Sequence, residues 1–476
     1  MSSITQPIEE ERTMRRIAQI VGLGLFLAAC ATQSATQPSP LPSLALPASS
    51  LPERPTATLA DYSAEPTINS GSVIFDLPAD GSIRAISLVG QHYQLANATQ
   101  PNAYLPWSAS PDGKQLAIVV FNDNHPKIEQ IDLAELWVVD VDEQNPRRLL
   151  NLLPTTASDQ APALGRKSAL IDQAPVWSHD GKTIMLASAH EQQVDLYAVD
   201  VATGTAQRLT NTPDLEVNLE LSADGSHLAF ASASSFGTGG GWGNPMVQIY
   251  RFADASFTPI TADPLAMGAR VVGWLDQQLI TQFNSQPDGR ASFIVFDANT
   301  GAITPLAQAM AFEAEIKANS LIYVDQPRDG IPTIYRWNGS GEVALLEHLQ
   351  ASAVSLSPSG QAMLLCNHDQ PSYVRNGVLS ALPVNSCRPS VWAADDWLAL
   401  NGTEQSNGLI ISPEGQSQIL PQQAVMAGWN EQVLYFFAPQ ANGWQLFKAQ
   451  RGSSQLQPIG QALGSQPHNP HLILAP

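Results

Sequence analysis

A short turn motif recurs in this chain of 476 residues and limits what the chain can fold into. "SPDG" (110–113), "SHDG" (178–181) and "SADG" (222–225) each precede a strand-length apolar run. In such a turn glycine supplies a positive φ, and aspartate accepts hydrogen bonds from its own backbone. The motif therefore predicts structural turns that join pairs of strands, at Asp112 and Gly113, Asp180 and Gly181, and Asp224 and Gly225.

The turns belong to a longer repeat. Within 174–210 four strand-like runs follow one another, "APVWS", "KTIMLAS", "VDLYAVDV" and "AQRLT", and related units continue to the end of the chain. Most of the opening turns are separated by 35–52 residues. A four-stranded unit of this length is typical of a β-propeller blade. The sequence predicts an all-β fold, with one propeller over 70–476.

The number of blades is harder to predict than the repeat. Eight units open with a turn, and a ninth is split between 71–96 and 470–476, whose strands could pair to close the ring. Several later units are degenerate and could merge with their neighbours. We expect eight blades, within a range of seven to nine.

The best units carry a family resemblance. Trp177 and Ser178 with the turn that follows them, and the corresponding residues at 110–113 and 222–225, resemble the WD40-like repeat of TolB-type propellers. The resemblance covers most of 70–476 and implies structural roles for the turn residues, with no catalytic group. It also implies that a cation such as Ca²⁺ could lie near the propeller axis.

The N-terminal segment predicts export. The apolar run 17–29 follows two arginines; it is too short to span a bilayer but suits a signal peptide over 1–29. "LAAC" (27–30) resembles the lipobox of bacterial lipoproteins, which implies cleavage before Cys30 and lipidation of its sulfur. An ordinary secreted protein is the alternative. The acidic residues at 9–11 are unusual in a leader, and translation from Met14 would remove them.

The segment 30–69 predicts a spacer. It contains seven prolines among Ser, Thr, Ala and Gln, a composition that cannot bury enough apolar surface to fold. We expect a disordered linker between the lipidated Cys30 and the propeller, and hence an extracytoplasmic protein anchored to a bacterial membrane. The formal net charge of −20 argues against nucleic acid as a partner.

Two cysteines remain after Cys30. Cys366 and Cys387 are 21 residues apart, and an oxidising compartment would allow them to form a disulfide. Two buried free thiols are the other interpretation.

Three long segments mark the expected binding face. The loops 122–134, 154–172 and 234–246 should lie opposite the Asp-Gly turns, above the first three turn-led units. Asp123, His125 and the glycine-flanked Trp242 are the candidate binding residues. We expect a protein, peptide or glycan partner on this face.

The same sequence gives little indication of chemistry. The nine histidines are scattered, the acidic loops lack the regular spacing of a calcium loop, and no Gly-x-Ser-x-Gly elbow occurs. We therefore expect no catalytic residue, metal site or cofactor, and a non-catalytic binding or scaffold module. The alternatives are a propeller enzyme, lyase-like toward polysaccharide or cyclase-like, and a sensor subunit of a separately encoded enzyme.

Overall fold

The computed structural model describes residues 73–473 with gaps. The gaps are 77–81, 89–90, 98–105, 122–133, 141–145, 154–168, 171–172, 192, 237–241, 244–245, 261–265, 286–290, 310–313, 318, 326–332, 348–352, 368–369, 386, 388–389, 465 and 468–469. The predicted signal peptide, Cys30 and the linker lie outside the described residues, as do Asp123 and His125. Among the described residues, no helix is long and apolar enough to cross a bilayer.

The described residues form nine four-stranded antiparallel sheets, here called blades 1 to 9. Blade 1 consists of β1 (Val73–Asp76), β2 (Ser82–Ser87), β3 (His92–Asn97) and β38 (His471–Ile473). Blade 2 consists of β4 (Trp107–Ala109), β5 (Gln115–Phe121), β6 (Ala134–Asp140) and β7 (Arg147–Asn151). Blade 3 consists of β8 (Val176–Trp177), β9 (Thr183–Ser188), β10 (Asp195–Asp200) and β11 (Ala206–Arg208). Blade 4 consists of β12 (Leu215–Leu221), β13 (His227–Ala233), β16 (Met246–Arg251) and β17 (Ser256–Ile260), with the two-stranded ribbon β14 (Ser235–Phe236) and β15 (Trp242–Gly243) inserted.

The remaining blades are uninterrupted meanders. Blade 5 consists of β18 (Ala266–Leu275), β19 (Gln278–Ser285), β20 (Ala291–Asp297) and β21 (Ile303–Ala309). Blade 6 consists of β22 (Ala314–Lys317), β23 (Ser320–Asp325), β24 (Thr333–Trp337) and β25 (Glu342–Glu347). Blade 7 consists of β26 (Ala353–Leu356), β27 (Ala362–Asn367), β28 (Gln370–Arg375) and β29 (Val378–Ala381). Blade 8 consists of β30 (Ser390–Trp392), β31 (Leu398–Leu400), β32 (Asn407–Ile411) and β33 (Ser417–Gln422), and blade 9 of β34 (Val425–Asn430), β35 (Val433–Gln440), β36 (Gly443–Gln450) and β37 (Leu456–Leu463).

The described residues form nine blades rather than the favoured eight, a number within the predicted range of seven to nine. The degenerate units do not merge; three of them use a shorter first turn. In blades 5, 6 and 9 a positive φ falls on Asp276 (51°), Asn319 (52°) and Glu431 (49°), where the paired strands are only two residues apart. A two-residue turn of this kind needs positive φ but no Asp-Gly motif, so these blades persist where the sequence signal fades.

The split blade closes the ring. The last strand, β38, pairs antiparallel with β1, so that Val73 faces Ile473 and Phe75 faces His471. β38 is thereby the innermost strand of blade 1, the place that the first strand takes in each other blade. Both ends of the propeller are held by one sheet, and neither β1 nor β38 is left as an unpaired strand.

The hydrophobic core lies between blades rather than within one centre. Middle strands such as β5 and β9 are buried on both faces because a neighbouring blade covers each side. Eight apolar clusters connect all nine pairs of adjacent blades, and the largest joins blades 1, 2 and 3. The described strands therefore form a closed β-propeller in which every blade is packed on two neighbours.

Tryptophans near the ends of innermost strands link successive blades. Each indole N–H donates to the innermost strand of the preceding blade. The pairs are Trp177 to the Ser108 carbonyl (3.2 Å), Trp274 to the Glu220 carbonyl (3.0 Å), Trp392 to the Ser355 hydroxyl (3.0 Å) and Trp429 to the Val391 carbonyl (3.1 Å). A large ring with one polar atom suits this position, because it fills the inter-blade space and satisfies a backbone acceptor.

Cys366 and Cys387 are joined in a disulfide with a Cα–Cα distance of 5.8 Å. Cys366 lies on β27 of blade 7, and Cys387 lies on the segment that leads to β30 of blade 8. Both belong to the apolar cluster between these blades. The crosslink therefore fastens the connecting segment to the blade that it leaves.

Candidate functional site

The two faces of the ring differ in their connections. The turns between first and second strands, and between third and fourth strands, lie on one face, here called the turn face. The connections between second and third strands, and between blades, lie on the opposite face, here called the long-loop face. In chain order, residues 122–133 stand between the second and third strands of blade 2, residues 237–241 between β14 and β15 of the ribbon inserted in blade 4, and residues 154–168 between blades 2 and 3. These residues lie outside the described ones, so their part in binding stays a prediction.

The predicted binding residues are only partly described. Asp123 and His125 lie outside the described residues, so their role stays a prediction. The backbone of Trp242 lies in β15, paired with Phe236 of β14. The segment around Trp242 is therefore partly an ordered two-stranded ribbon on the long-loop face. Binding by Trp242 also stays a prediction.

The Asp-Gly turns share one hydrogen-bond pattern. In blade 3 the Ser178 hydroxyl donates to Asp180 (2.7 Å) and accepts from the Thr183 N–H (2.9 Å), while Asp180 also accepts from the Lys182 N–H (3.1 Å). The turns at Asp112 and Asp224 repeat the arrangement. Gly113, Gly181 and Gly225 have φ of 67°, 69° and 73°. These side chains are engaged in holding their own turns.

A groove between blades 3 and 4 opens on the turn face and encloses about 690 Å³. It is here called the blade 3–4 groove. Its lining comes from both turns of blade 3, from the first turn of blade 4 and from the end of β16. The residues are Ser178, His179, Asp180, Thr183, Met185, Ala198, Asp200, Thr205, Gln207, Leu209, Leu221, Asp224, Gly225, Tyr250 and Phe252. The sequence predicts a partner on the opposite, long-loop face, where binding stays a prediction, and gives no indication of a cleft on the turn face.

Small side chains leave this space open. Ala198 of blade 3 and Gly225 of blade 4 both line the groove, and neither has a side chain long enough to fill it. Leu209 and Leu221 are only partly buried at the edge of the cluster between the two blades. The floor of the groove is therefore apolar and accessible to a ligand.

Three aromatic rings of blade 4 stand together along one wall. The Tyr250 ring centroid lies 5.1 Å from those of Phe252 and Phe257. Phe252 and Phe257 are 36% and 42% exposed, although phenylalanine is usually buried. Phe257 lines a second cavity of about 450 Å³, which shares Leu209 with the first. The groove thus continues along the boundary between blades 3 and 4.

The groove is acidic at its mouth. A hydrogen bond from the Ser178 hydroxyl lowers the pKa of Asp180, and one from the Thr203 hydroxyl lowers that of Asp200. The Ser226 hydroxyl lowers the pKa of Asp224 in the same way. All three carboxylates are therefore ionised at neutral pH. Within the described lining there is no Lys or Arg; the nearby Lys182 is 78% exposed and lies 3.5 Å from Asp180.

A separate chamber of about 460 Å³, distinct from the blade 3–4 groove, is bordered by the innermost strands of blades 6, 7, 8, 9 and 1. Glu315 is 3.8 Å from Lys317 on the same strand and accepts the Leu356 N–H at 3.0 Å, so the Glu315 carboxylate links β22 to β26. Burial lowers the pKa of His471, because surrounding strands remove much of the hydration of a ring that still borders the chamber. Among the described residues, no three His, Cys, Asp or Glu side chains are placed to share a metal ion.

Buried ion pairs lie toward the long-loop face in two blades. Glu135 of β6 is 3.1 Å from Arg148 of β7, and Asp195 of β10 is 2.5 Å from Arg208 of β11. Both acids are buried, and in each blade an aromatic residue follows the acid by two positions. Because the arrangement repeats, it belongs to the construction of the blade rather than to a site of one blade.

Glu216 of β12 has no such cation. Its side chain is fully buried, the Thr212 hydroxyl donates to its Oε1 at 2.5 Å, and its Oε2 has no protein partner. Burial, with a smaller contribution from the charge of Asp195, raises the pKa of Glu216 to about 8. Glu216 is therefore mostly protonated at neutral pH, at the interface of blades 3 and 4.

This carboxyl predicts a pH-dependent stability. The pKa of Glu216 in the folded chain exceeds its ordinary value of 4.5. The contribution of this carboxyl to the free energy of unfolding is therefore fully present below about pH 4.5 and is lost as the pH rises to about 8. Glu216→Gln carries no such proton and should reduce this loss by up to about 1.4 kcal/mol per pH unit. The measurement is urea unfolding of both proteins from pH 5 to 8. Glu404→Gln, at an exposed acid of blade 8, is the control, and equal slopes in wild type and Glu216→Gln would contradict the assignment.

The comparisons with known proteins support the fold alone. No family model matches the sequence, and no curated protein is similar to it. A crystal structure of the eukaryotic initiation factor superposes with a TM-score of 0.51 at 12% identity, covering 85% of this chain and 99% of that one. The shared fold is a β-propeller.

Two other solved structures superpose more loosely. Dipeptidyl peptidase 4 of Porphyromonas gingivalis matches with a TM-score of 0.47 at 11% identity, covering 83% of this chain, which spans 60% of the length of that protein. TolB of Acinetobacter baumannii matches with a TM-score of 0.32 at 16% identity, over 66% of this chain and 81% of that one. Neither similarity is close enough to carry an argument about function.

Proposed function

We propose that this chain is a non-catalytic binding module that holds a segment of a protein, peptide or glycan partner in the blade 3–4 groove. The supporting observation is the combination of an apolar floor, exposed aromatic rings and carboxylates that are already engaged in turns. Such a groove suits a ligand whose shape and charge are complementary to it. Ligand sites commonly combine an apolar cleft with a few fixed polar groups in this way.

The polar side chains of the groove suit binding better than chemistry. A nucleophile needs a base within hydrogen-bond reach and free to accept its proton. The Ser178 hydroxyl donates to Asp180, which at the same time accepts a backbone N–H. Asp200 accepts both the N–H and the hydroxyl of Thr203. Each of these hydroxyl and carboxylate groups is held by hydrogen bonds within its own turn. Using one as a nucleophile or base would break hydrogen bonds that stabilise the turn.

Lipid anchoring is the second part of the proposal, and it rests on the sequence. The lipobox-like segment ending at Cys30 would attach the mature chain to the outer side of a bacterial membrane, with 31–69 as spacer. Two or three acyl groups on Cys30 would hold the protein firmly at the membrane, since a single acyl group binds a membrane only reversibly.

Cys30→Ser should release the chain from the membrane. Expressed in a bacterium from either Met1 or Met14, the wild type should sediment with membranes and incorporate a labelled fatty acid. The variant should do neither, because serine lacks the sulfur that takes the lipid. A variant that still carries the label would contradict lipidation at Cys30, while an unlabelled wild type would contradict the lipobox.

The binding function is tested with defined ligands. The full chain should bind some members of a mixed array of peptides and glycans, and Phe252→Ser should weaken those signals at least tenfold by removing an exposed ring from the groove wall. Val378→Ser is the matched control, since Val378 is a 66% exposed apolar residue on the outer strand of blade 7. Signals equal in the wild type and in both variants would contradict binding in the groove.

A further inference from the structure

We infer that the blade 3–4 groove takes an extended peptide segment in which a lysine or arginine alternates with aromatic or aliphatic residues. The inference rests on the binding function proposed above and names the class of ligand. It follows from the distribution of charge and of exposed apolar surface along the groove.

The charge of the groove selects a cation. Asp180, Asp200 and Asp224 stay ionised at neutral pH, and they line one cavity to which the described residues contribute no Lys or Arg. Lys182 offsets this charge weakly, because an ion pair at 3.5 Å between two largely exposed side chains contributes little. An anionic segment would be repelled, whereas a cationic side chain would meet three carboxylates.

The apolar surface selects the neighbours of that cation. Phe252 and Phe257 are exposed on either side of Tyr250, while Met185, Leu209 and Leu221 form the floor. Covering such surface stabilises a complex by about 25 cal/mol per Å² before the costs of association. A purely basic segment would leave these rings in water, so the ligand needs apolar side chains beside its charge.

The length of the groove favours an extended segment. The larger cavity contains the three carboxylates and Phe252. The smaller one contains Phe257 and also Arg208, whose positive charge is paired with Glu191 and Asp195, and Leu209 is common to both cavities. A peptide in extended conformation presents successive side chains to opposite sides at about 3.3 Å per residue. Alternating basic and apolar residues can therefore face the acidic mouth and the aromatic wall together.

Fluorescence anisotropy with three labelled hexapeptides tests the inference on the full chain. The probes are Lys-Phe, Glu-Phe and Lys-Ser, each repeated three times. We expect Lys-Phe to bind at least tenfold more tightly than the other two, and its binding to weaken between 50 and 500 mM NaCl. Equal binding of Glu-Phe and Lys-Phe would overturn the charge selection.

Matched variants separate the groove from the acidic surface as a whole. Asp200→Asn keeps an oxygen acceptor for Thr203 and removes one charge, so it should weaken Lys-Phe binding about three- to tenfold. Asp297→Asn is the control, because Asp297 makes the corresponding third-to-fourth-strand turn in blade 5. Equal losses in both variants would indicate adsorption to a negative protein and overturn the inference.

Phe252→Ser distinguishes the inference from the function on which it rests. If Glu-Phe or an array ligand binds and this variant abolishes that binding, the groove is a binding site and only the cationic class is wrong. If no ligand binds in a way that depends on Phe252, both the inference and the proposed binding function are contradicted. Thermal unfolding of each variant, expected within a few degrees of wild type, excludes misfolding as the cause.

Discussion

A chain that ends at residue 469 should lose several kcal/mol of unfolding free energy or fail to fold. It lacks β38, whose three residues pair with Val73, Ile74 and Phe75 of β1. Burying the Leu472 and Ile473 side chains contributes about 1.5–3 kcal/mol each when burial is complete, and each lost strand hydrogen bond costs about 1 kcal/mol. The total expected loss is therefore about 5 kcal/mol, measured by urea unfolding followed with tryptophan fluorescence.

Two variants make this result interpretable. A chain ending at Leu474 keeps β38 and should unfold like wild type. Gly428→Ala changes the same contact in the full-length chain, since a Cβ there would lie 2.6 Å from the Leu472 Cβ. It should destabilise the protein even if the truncated chain cannot be purified. Unchanged stability in both the chain that ends at residue 469 and Gly428→Ala would contradict closure of the ring by β38.

Removing the disulfide should produce the next largest loss. Cys366→Ala with Cys387→Ala should lower the unfolding free energy by about 2–4 kcal/mol, because a crosslink closing a loop of this size restricts the unfolded chain. Both residues are 5% exposed in a packed cluster, so lost packing adds to the effect. The measurement is the urea midpoint with and without dithiothreitol.

The reductant supplies an internal control. Wild type should shift toward the double variant when reduced, and the double variant should not respond. With the disulfide formed, unfolded wild-type protein without reductant has one free thiol if Cys30 is unmodified and none if Cys30 is lipidated; two more free thiols per chain than that would contradict the crosslink.

The propeller could be predicted from sequence because its signal is local. The Asp112, Asp180 and Asp224 turns combine residues whose backbone preferences are known, and the apolar runs between them match strand lengths. The sequence could not decide between seven, eight and nine blades, because Asp276, Asn319 and Glu431 adopt positive φ without the glycine that usually marks such a turn. Packing of the whole ring selects those conformations, and a single repeat does not reveal them.

The candidate site was far less accessible to such reasoning. Asp180, Asp224 and Phe252 meet only because two blades pack side by side, and the small residues Ala198 and Gly225 of these two blades line the space that is left between them. No local motif records which small residues will face one another.

Glu216 illustrates the same limit. In "LEVNLEL" it alternates with apolar residues, as a solvent-facing position of a strand would. Glu216 is nevertheless buried; the Thr212 hydroxyl of the connecting segment donates to it, and the Thr212 N–H donates to Asp195 of blade 3. The alternation of the strand predicts an exposed side chain at Glu216, whereas tertiary contacts bury it.

The chemical fate of a bound ligand distinguishes a binding module from a propeller enzyme most directly. An array ligand whose signal depends on Phe252 should be incubated with the full chain, eluted and weighed by mass spectrometry. The proposed function predicts that the ligand returns with its mass unchanged and in an amount that saturates at one per chain. Recovery of a cleaved or eliminated product in excess over protein would show turnover and contradict it.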